Sequence, residues 1–320
     1  MKKEGKINDI VWAYGSLVFV IFIWGTGPLL SRYLLQFYAP TIYSAFGSLV
    51  SGIGLFFICL PHLKKINRQY FKIALPTGLF VGLASLLQKI GLQYTTPAQY
   101  AFLENLSCVS VPVLLFIFIR KKPKKLTVFA SVLCLVGTFV LSGLDFSSGS
   151  VGFGKGEILC AVAGILYGVN IAGTGAFAKK LYAPLYVMIQ VWVQAIFNFC
   201  VTLALHFIKI DGIPIEPIVF SWEMKHILLL IGLCLISSTL CWILRTSAMK
   251  YVDASVVAIM MPFSAVITGL TSVIFGADPL TLNLLVGAGI CLIAALLSGI
   301  SDVHARQEEN VVQEQKESGS

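Results

Sequence analysis

Three ionisable side chains lie within apolar stretches of the sequence: Lys89, Glu104 and Arg245. An ionisable group at the centre of a membrane costs about 2.5–3.5 kcal/mol, so it usually has a partner or a function. Glu104 and Lys89 are about equally far in sequence from a predicted turn near Thr95, which places them at similar depth on adjacent helices. One interpretation is a pair beside a cavity, in which Glu104 takes up and releases a proton. The other is a static pair that joins the two helices.

Arg245 also has two interpretations. A guanidinium presents a planar set of N–H donors that matches a carboxylate, so Arg245 is a candidate binding group for a small anionic molecule. Its predicted position near the inner end of the eighth helix favours the alternative, in which the side chain reaches the cytoplasmic headgroups. Asn105, next to Glu104, is a further candidate for the cavity.

Glycine and proline suggest where the helices bend. The run Trp24-Gly25-Thr26-Gly27-Pro28 is predicted to break the first helix, because such backbone is tolerated in a membrane only beside protein or a water-filled cavity. Trp24 is then a candidate cavity wall, and the alternative is a Trp that faces lipid. Proline is also expected to kink the fourth and ninth helices. The candidate hinge residues are Gly25, Gly27, Pro28, Pro112 and Pro262.

The composition requires a membrane environment. The 320 residues are 57% hydrophobic and 12% charged, whereas soluble domains are about 45–50% apolar and about 25% charged. Cytosolic enzymes, secreted disulfide scaffolds and disordered proteins are therefore excluded. The eight cysteines lie inside apolar runs without a CxxC pair, so no metal site is expected. The basic residues lie between apolar runs, which argues against nucleic-acid binding.

The apolar runs predict ten transmembrane helices. They span residues 11–32, 41–61, 73–94, 97–119, 126–144, 155–177, 184–207, 225–247, 252–275 and 281–300. With both termini on one side, that side holds 17 of the 23 Lys and Arg residues, the other holds five, and Arg245 lies within a helix. The positive-inside rule therefore predicts a multi-pass plasma-membrane protein with both termini in the cytoplasm.

The sequence repeats itself weakly but in order. Trp24-Gly25 corresponds to Tyr167-Gly168, and Tyr38-Ala39-Pro40 corresponds to Tyr182-Ala183-Pro184. Residues 1–10 are predicted to be a cytoplasmic N-terminus, residues 11–145 and 152–300 two five-helix repeats, and residues 301–320 a disordered cytoplasmic tail. Because five is odd, the second repeat is inverted relative to the first, which is typical of transporters. Tyr167 matches Trp24 and is therefore a further cavity candidate.

Several motifs resemble the drug/metabolite transporter superfamily, specifically its ten-helix EamA-type members. Ile23-Trp24-Gly25 is similar to that family's W-G motif, and the stretches 91–112 and 238–262 are similar to its third-to-fourth helix region and its counterpart in the second half. Residues 276–281 resemble its G-E-P-L-T ending, with Asp278 in place of Glu. Arg245 and Glu104 depart from the pattern, since Gln and a small polar residue are expected there. The resemblance implies transport of amino acids, other small metabolites or drugs, often outward.

We therefore expect an all-α membrane protein that exports a small metabolite by alternating access and has no catalytic residues. Its expected partners are a small-molecule substrate and the lipid bilayer, with protons as the candidate coupling ion and no cofactor. A channel-like protein or a drug-efflux protein of the same fold is the alternative. An intramembrane enzyme is disfavoured because the four histidines lie at predicted helix ends and no second deep carboxylate faces Glu104.

Overall fold

The computed structural model describes residues 2–95, 97–120, 122–142, 154–207, 219–275 and 281–318. These residues form thirteen α-helices and two short helical segments, a 3-10 helix at Leu60–Lys65 and a π-helix at Cys234–Leu240. The helices are α1 (Lys2–Leu34), α2 (Pro40–Cys59), α3 (Arg68–Tyr94), α4 (Pro97–Glu104), α5 (Ser107–Ile119), α6 (Lys125–Ser142), α7 (Lys155–Phe177), α8 (Ala183–Phe207), α9 (Met224–Leu233), α10 (Cys241–Ala248), α11 (Ala254–Met260), α12 (Phe263–Ile274) and α13 (Leu282–Ser318).

The helices form ten apolar spans, as the sequence predicts. Within the described ranges, nine spans are long and apolar enough to cross a membrane, and the tenth is the shorter apolar helix Lys125–Val140. Three spans are composite: α4 with α5, α9 with the π-helix and α10, and α11 with α12. Large apolar side chains such as Phe57, Ile117 and Ile196 are more than 60% exposed on the outside of the bundle. The prediction of an all-α, multi-pass membrane protein is confirmed.

Two ends of the bundle are named from the predicted topology. The outer end is the one at which α1 ends and α2 begins, and the inner end is the one at which α2 ends and α3 begins. Backbone hydrogen bonds join the connection after α1 to the one before α9, from Ala39 to Val219 and from Ser221 to Phe37, at 3.0 and 3.1 Å. These two connections therefore lie at the same end, as the alternation of ten spans requires.

The first helix is continuous, so the predicted break at residues 24–28 is wrong. Pro28 lies inside α1, where its missing N–H removes only one backbone hydrogen bond. The hydroxyl of Thr268 donates to the Gly25 carbonyl at 2.7 Å, which ties α1 to α12. A Cβ at Gly25 would lie 2.9 Å from the carbonyl oxygen of Ser264. Gly25 thus allows close helix packing, and it is not a point of bending.

The fourth and ninth spans are interrupted, but only one of the two interruptions coincides with proline. The ninth span breaks at Met261-Pro262, as predicted. The fourth breaks at Asn105-Leu106, and α5 continues through Pro112. At this break the Asn105 side chain donates to the Ala101 carbonyl at 2.6 Å, which competes with regular helical bonding. The predicted kink at Pro112 is therefore replaced by a break seven residues earlier.

Close packing of α7 against the interrupted fourth span depends on Gly164. A Cβ at this position would lie 2.3 Å from the carbonyl oxygen of Leu103 and 2.8 Å from that of Glu104. We expect Gly164→Ala to lower the free energy of unfolding by about 1–3 kcal/mol, the usual range for overpacking, because backbone atoms cannot move aside. Thermal unfolding in detergent measures the effect. Gly232→Ala is the matched control, since a Cβ there meets nothing within 4 Å; equal melting temperatures for the two variants would contradict the prediction.

The last helix is longer than the sequence predicts. Helix α13 runs to Ser318, whereas the sequence predicts a disordered tail after residue 300. Residues 301–318 contain four Glu and three Gln, which have high helix propensity, and the segment continues directly from a membrane-spanning helix, so no new helix nucleus is needed.

Candidate functional site

A polar cavity of about 160 Å³ lies between helices from both halves of the chain. It begins near the outer end, at Ser31 and Tyr43, and extends to Arg245, close to the end of α10. The cavity wall includes two cationic side chains and one carboxylate from the described residues: Lys89, Arg245 and Glu104. Their formal charges leave one positive charge in excess.

Arg245 is buried inside the bundle, with 2% of its surface exposed. Its guanidinium carbon lies 4.1 Å from the ring centroid of Trp242 and 5.4 Å from that of Trp24. Its Nη2 donates to Asn170 Oδ1 at 2.8 Å, while its buried Nε has no partner among the described residues. The expectation that Arg245 reaches the headgroups is therefore wrong, and its guanidinium faces the cavity instead.

Glu104 belongs to a chain of hydrogen bonds from three helices. Nε2 of Gln88 donates to Glu104 Oε1 at 2.9 Å, and the Tyr167 hydroxyl donates to Gln88 Oε1 at 2.8 Å. The same Gln88 nitrogen also contacts the hydroxyl of Tyr100. The carboxylate is half-buried at the end of α4, directly before the break in the fourth span. Its neutral hydrogen-bond partners hold the carboxyl group at the cavity wall.

Lys89 does not form the predicted ion pair with Glu104. The ion pairs of the described residues involve Lys179, Lys225 and His226 as the basic partners. Lys89 Nζ instead lies 4.9 Å from the ring centroid of Tyr43. Lys89 and Glu104 line the same cavity and attract each other across it. Lys89 and Glu104 therefore share a cavity, as expected from their similar depth on adjacent helices. They are not in direct contact, because Gln88 occupies the position beside the carboxylate.

A π-helix positions the aromatic wall of the cavity. Trp24 Nε1 donates to the carbonyl of Ser237, within the π-helix, at 3.1 Å. The Ser51 hydroxyl donates to the carbonyl of Cys234 at 3.2 Å, at the first residue of the same segment. A π-helix is wider than an α-helix and frequently occurs at functional sites. Here its backbone carbonyls accept hydrogen bonds from side chains of α1 and α2. Helix α10 follows the π-helix directly and carries Trp242 and Arg245.

The structure brings most of the predicted site residues to one place. All six predicted cavity residues line the cavity, as do two of the predicted hinge residues, while Gly25, Pro112 and Pro262 do not. The residues that line it are Trp24, Lys89, Glu104, Asn105, Tyr167 and Arg245 with Gly27 and Pro28. Their participation in binding stays a prediction.

Sequence reasoning missed several residues of this site. Gln88, Trp242 and Tyr43 line the cavity, and Asn170 holds Arg245 from behind. The predicted internal repeat aligns Gln88 of the first half with Arg245 of the second, and this alignment offered a signal for Gln88. Trp242 precedes Arg245 by three residues, so the two share a helix face, and this spacing was also visible in the sequence.

Below Arg245, the interior towards the inner end is closed. The hydroxyl of Tyr186 lies 3.0 Å from that of Thr77 and 3.1 Å from that of Thr174, and Gln190 Nε2 donates to Thr77 at 2.8 Å. Tyr186 is fully buried. A continuous cluster of buried apolar side chains, including Leu17, Ala248, Met249, Val252 and Val257, fills the neighbouring space. Within the described part of the chain, the lining of the cavity therefore ends above this network.

At the outer end, His226 joins the two halves. Its Nδ1 lies 2.8 Å from the Ser221 hydroxyl and its Nε2 3.3 Å from the Tyr33 hydroxyl. The ring of Phe37 stacks on the imidazole with 3.7 Å between centroids. His226 is 1% exposed, so a substitution that removes its ring creates a cavity and leaves both hydroxyls without this partner.

Replacement of His226 should therefore weaken the outer connection. We expect His226→Ala to lower the free energy of unfolding by about 2–5 kcal/mol, the range for large-to-small changes in a core. A fall in the thermal unfolding midpoint of the purified protein measures it. His206→Ala is the control, because the hydrogen bond of that side chain is made to the Thr202 carbonyl of its own helix and does not join the two halves. Should the two variants melt at the same temperature, His226 does not hold the halves together.

A bundle of ten apolar spans around a polar, charged cavity defines an integral membrane protein of the transporter class. The profile of the EamA-like transporter family matches residues 11–143 and again residues 154–300. The chain therefore belongs to the EamA-like transporter family, as the motifs in the sequence indicated.

Relatives in two distant organisms carry transporter names. A Bacillus subtilis (strain 168) protein named "Uncharacterized transporter YvbV" is 25% identical over 289 residues, which cover 87% of this chain and 90% of that protein. An Archaeoglobus fulgidus protein named "Uncharacterized transporter" is 23% identical over 300 residues, covering 93% and 89%. A crystal structure with 14% identity matches with a TM-score of 0.69 over 93% of this chain and 98% of that chain, which shows that the fold is shared.

Proposed function

We propose that this protein is a secondary active transporter that exports a small metabolite with a carboxylate group, such as an amino acid, by alternating access. In this proposal it lies in the cell membrane with both termini in the cytoplasm, and protons are the coupling ion. The observation that carries the proposal is the buried Arg245 guanidinium, which faces a polar cavity between the two halves of the chain.

The surroundings of Arg245 favour a carboxylate ligand. The guanidinium has no acidic partner among the described ion pairs, and its Nε is buried without a hydrogen bond. Leaving such a donor unpaired is costly, and a bidentate carboxylate satisfies it. Trp24 and Trp242 restrict the guanidinium plane, so little side-chain entropy is lost when a ligand binds.

The closed inner end supports alternating access. The cavity begins near the outer end and stops above the Tyr186 network. Entry of an exported substrate from the inner side therefore requires this network to separate. The interruptions at Asn105-Leu106 and Met261-Pro262 fall at corresponding positions of the two proposed inverted repeats. Interrupted helices of this kind are common beside the substrate site of secondary transporters.

Glu104 is the proposed proton carrier. It is the acidic member among the described residues that line the cavity, and its partner Gln88 can hydrogen-bond to either protonation state through its amide. Proton binding removes a negative charge near Lys89 and Arg245. Protonation of Glu104 therefore changes the net charge of the cavity, which couples proton binding to the binding of a charged ligand.

The aromatic wall favours a second candidate, efflux of an aromatic drug-like compound. Trp24 and Trp242 lie 6.1 Å apart between ring centroids, and both face the cavity. Besides restraining an arginine, an aromatic wall of this kind can bind the apolar ring of a ligand. A ligand of this class would not need the Arg245 guanidinium, so the two candidates differ in their response to its substitution.

Counterflow in proteoliposomes tests the proposal. Vesicles preloaded with one unlabelled amino acid or metabolite are diluted into its labelled form, and each compound of a pool is tested in turn. We expect saturable, transient accumulation of a carboxylate-bearing compound. Non-saturable flux through the purified protein would instead indicate a channel, and exchange confined to uncharged aromatic compounds would favour drug efflux.

Cys234 provides a second, independent readout. It is the one cysteine of the described residues that lines the cavity, so small thiol reagents can reach it there. In a variant that retains only this cysteine, the transported compound should slow its labelling. A second variant that retains only Cys200, which is exposed on the outside of α8, is the control, and its labelling should not change. Equal protection at both positions, or at neither, would contradict a substrate site in this cavity.

A further inference from the structure

A cluster of basic side chains surrounds the ring of Tyr182 at the inner end, outside the cavity. The Nζ atoms of Lys65 and Lys250 lie 5.6 and 6.0 Å from the ring centroid. The ring of His62 lies 4.8 Å from the same ring between centroids. Lys65 and His62 come from the 3-10 helix after α2, Lys250 follows α10, and Tyr182 precedes α8. Three separate connections therefore meet at one aromatic ring.

The cluster is held in place by contacts of the folded chain. The backbone N–H of Tyr182 donates to the hydroxyl of Tyr70 at 3.0 Å, and Tyr70 itself is buried. Tyr182 and both lysines are exposed, so a ligand can reach them. His62 Nδ1 is buried and has no partner among the described residues. The two lysines therefore lie at a fixed place beside the Tyr182 ring, and the His62 Nδ1 atom remains available for a hydrogen bond.

Positive charge is in large excess around this ring. Residues 60–72, which include the first turn of α3, and the connections 178–183 and 249–253 contain seven Lys or Arg residues and one acidic residue, Asp253. That carboxylate lies 3.1 Å from Lys179. Neither Lys65 nor Lys250 has an acidic partner in the described ion pairs. An anion from outside the chain is therefore the natural partner of this cluster.

The location identifies the kind of anion. The three connections begin where the membrane spans end, at Cys59, Phe177 and Ala248, which is the level of the lipid headgroups. Basic pockets between membrane helices at this level bind phosphate-bearing headgroups. We propose that Lys65, Lys250 and Tyr182 form a binding site for the phosphate group of an anionic phospholipid.

Such a lipid would act on the inner closure. Lys65 and His62 belong to the first half of the chain, and Lys250 and Tyr182 belong to the second. A headgroup that contacts both halves favours the arrangement in which they are adjacent, which is the one with the inner end closed. This site lies outside the cavity, so the proposal holds independently of the substrate and of transport.

Thermal unfolding of the full-length protein in detergent tests the site. Short-chain phosphatidylglycerol, short-chain phosphatidylcholine and inorganic phosphate are added separately, since a ligand of the folded state raises the unfolding midpoint. We expect phosphatidylglycerol to raise the midpoint more than the other two. The double variant Lys65→Gln/Lys250→Gln should lose most of that rise, and Lys65→Arg/Lys250→Arg should retain it.

A matched control separates a specific site from general surface charge. The double variant Lys122→Gln/Lys125→Gln removes the same charge from another exposed inner connection and should respond to phosphatidylglycerol as the unmodified protein does. Equal loss in both glutamine variants would overturn the proposal, as would equal shifts with phosphatidylcholine. A full rise with inorganic phosphate alone would support phosphate recognition and overturn the lipid as its source.

Discussion

Replacement of Arg245 by Gln should abolish most transport of a carboxylate substrate. The change leaves the carboxylate in the cavity without its charged, bidentate partner, and losses of this kind are about 2–5 kcal/mol. Since about 1.4 kcal/mol is tenfold in affinity, the apparent KM should rise about 30-fold or more. Arg245→Lys keeps the charge but loses the planar fork and the guanidinium contacts with the Trp24 and Trp242 rings, so it should rescue only part of the loss.

Concentration-dependent counterflow of the same compound measures this effect. Lys122→Gln is the control, because it removes one exposed positive charge that lies outside both the cavity and the Tyr182 cluster, and it should leave the KM unchanged. Thermal unfolding of each variant verifies that it folds. An unchanged KM in a folded Arg245→Gln protein would exclude the carboxylate role and favour the aromatic efflux candidate.

Replacement of Glu104 by Gln should separate exchange from proton-driven transport. The amide keeps the size of the carboxyl group and its contact with Gln88 but cannot bind and release a proton. We expect counterflow to continue, while uptake driven by an imposed pH gradient falls about 5–150-fold. This range corresponds to the coupling free energies of about 1–3 kcal/mol that are typical between two binding sites. The pH dependence of exchange should become flat.

Proteoliposomes with and without an imposed pH gradient distinguish the outcomes. Glu157→Gln is the matched control, since it makes the same chemical change in the first turn of α7, outside the cavity. That variant should respond to the gradient as the unmodified protein does. Full proton-driven uptake by Glu104→Gln would show that this carboxylate has a structural role only.

The direction of the Arg245 side chain, and not its place near the end of a helix, determines that the guanidinium lies inside the bundle. The residue lies three positions from the end of α10, where the sequence favours contact with headgroups. Helical side chains point back towards the N-terminus of their helix, which here is the interior of the bundle. Two tryptophans and Asn170 then hold the guanidinium there. Only one of these three residues, Trp242, is close to Arg245 in sequence.

The interruptions of the helices also depended on tertiary contacts. Proline marks the break in the ninth span, but Pro28 and Pro112 lie inside continuous helices. A single missing hydrogen bond is tolerated where neighbouring helices pack against the backbone. The break at Asn105 accompanies a local hydrogen bond from its side chain to the Ala101 carbonyl. The preceding residues Leu103 and Glu104 pack against Gly164 of α7, a contact that no local pattern reveals.

The sequence by itself determined the membrane class, the ten spans and the deep ionisable groups. These follow from the high cost of placing polar groups in hydrocarbon, which makes the apolar runs long and the exceptions few. The tertiary structure decided which of those groups share a cavity and which are direct partners. That choice depends on distances of a few ångström between helices far apart in the chain, so Gln88 became the neighbour of Glu104 and Lys89 did not.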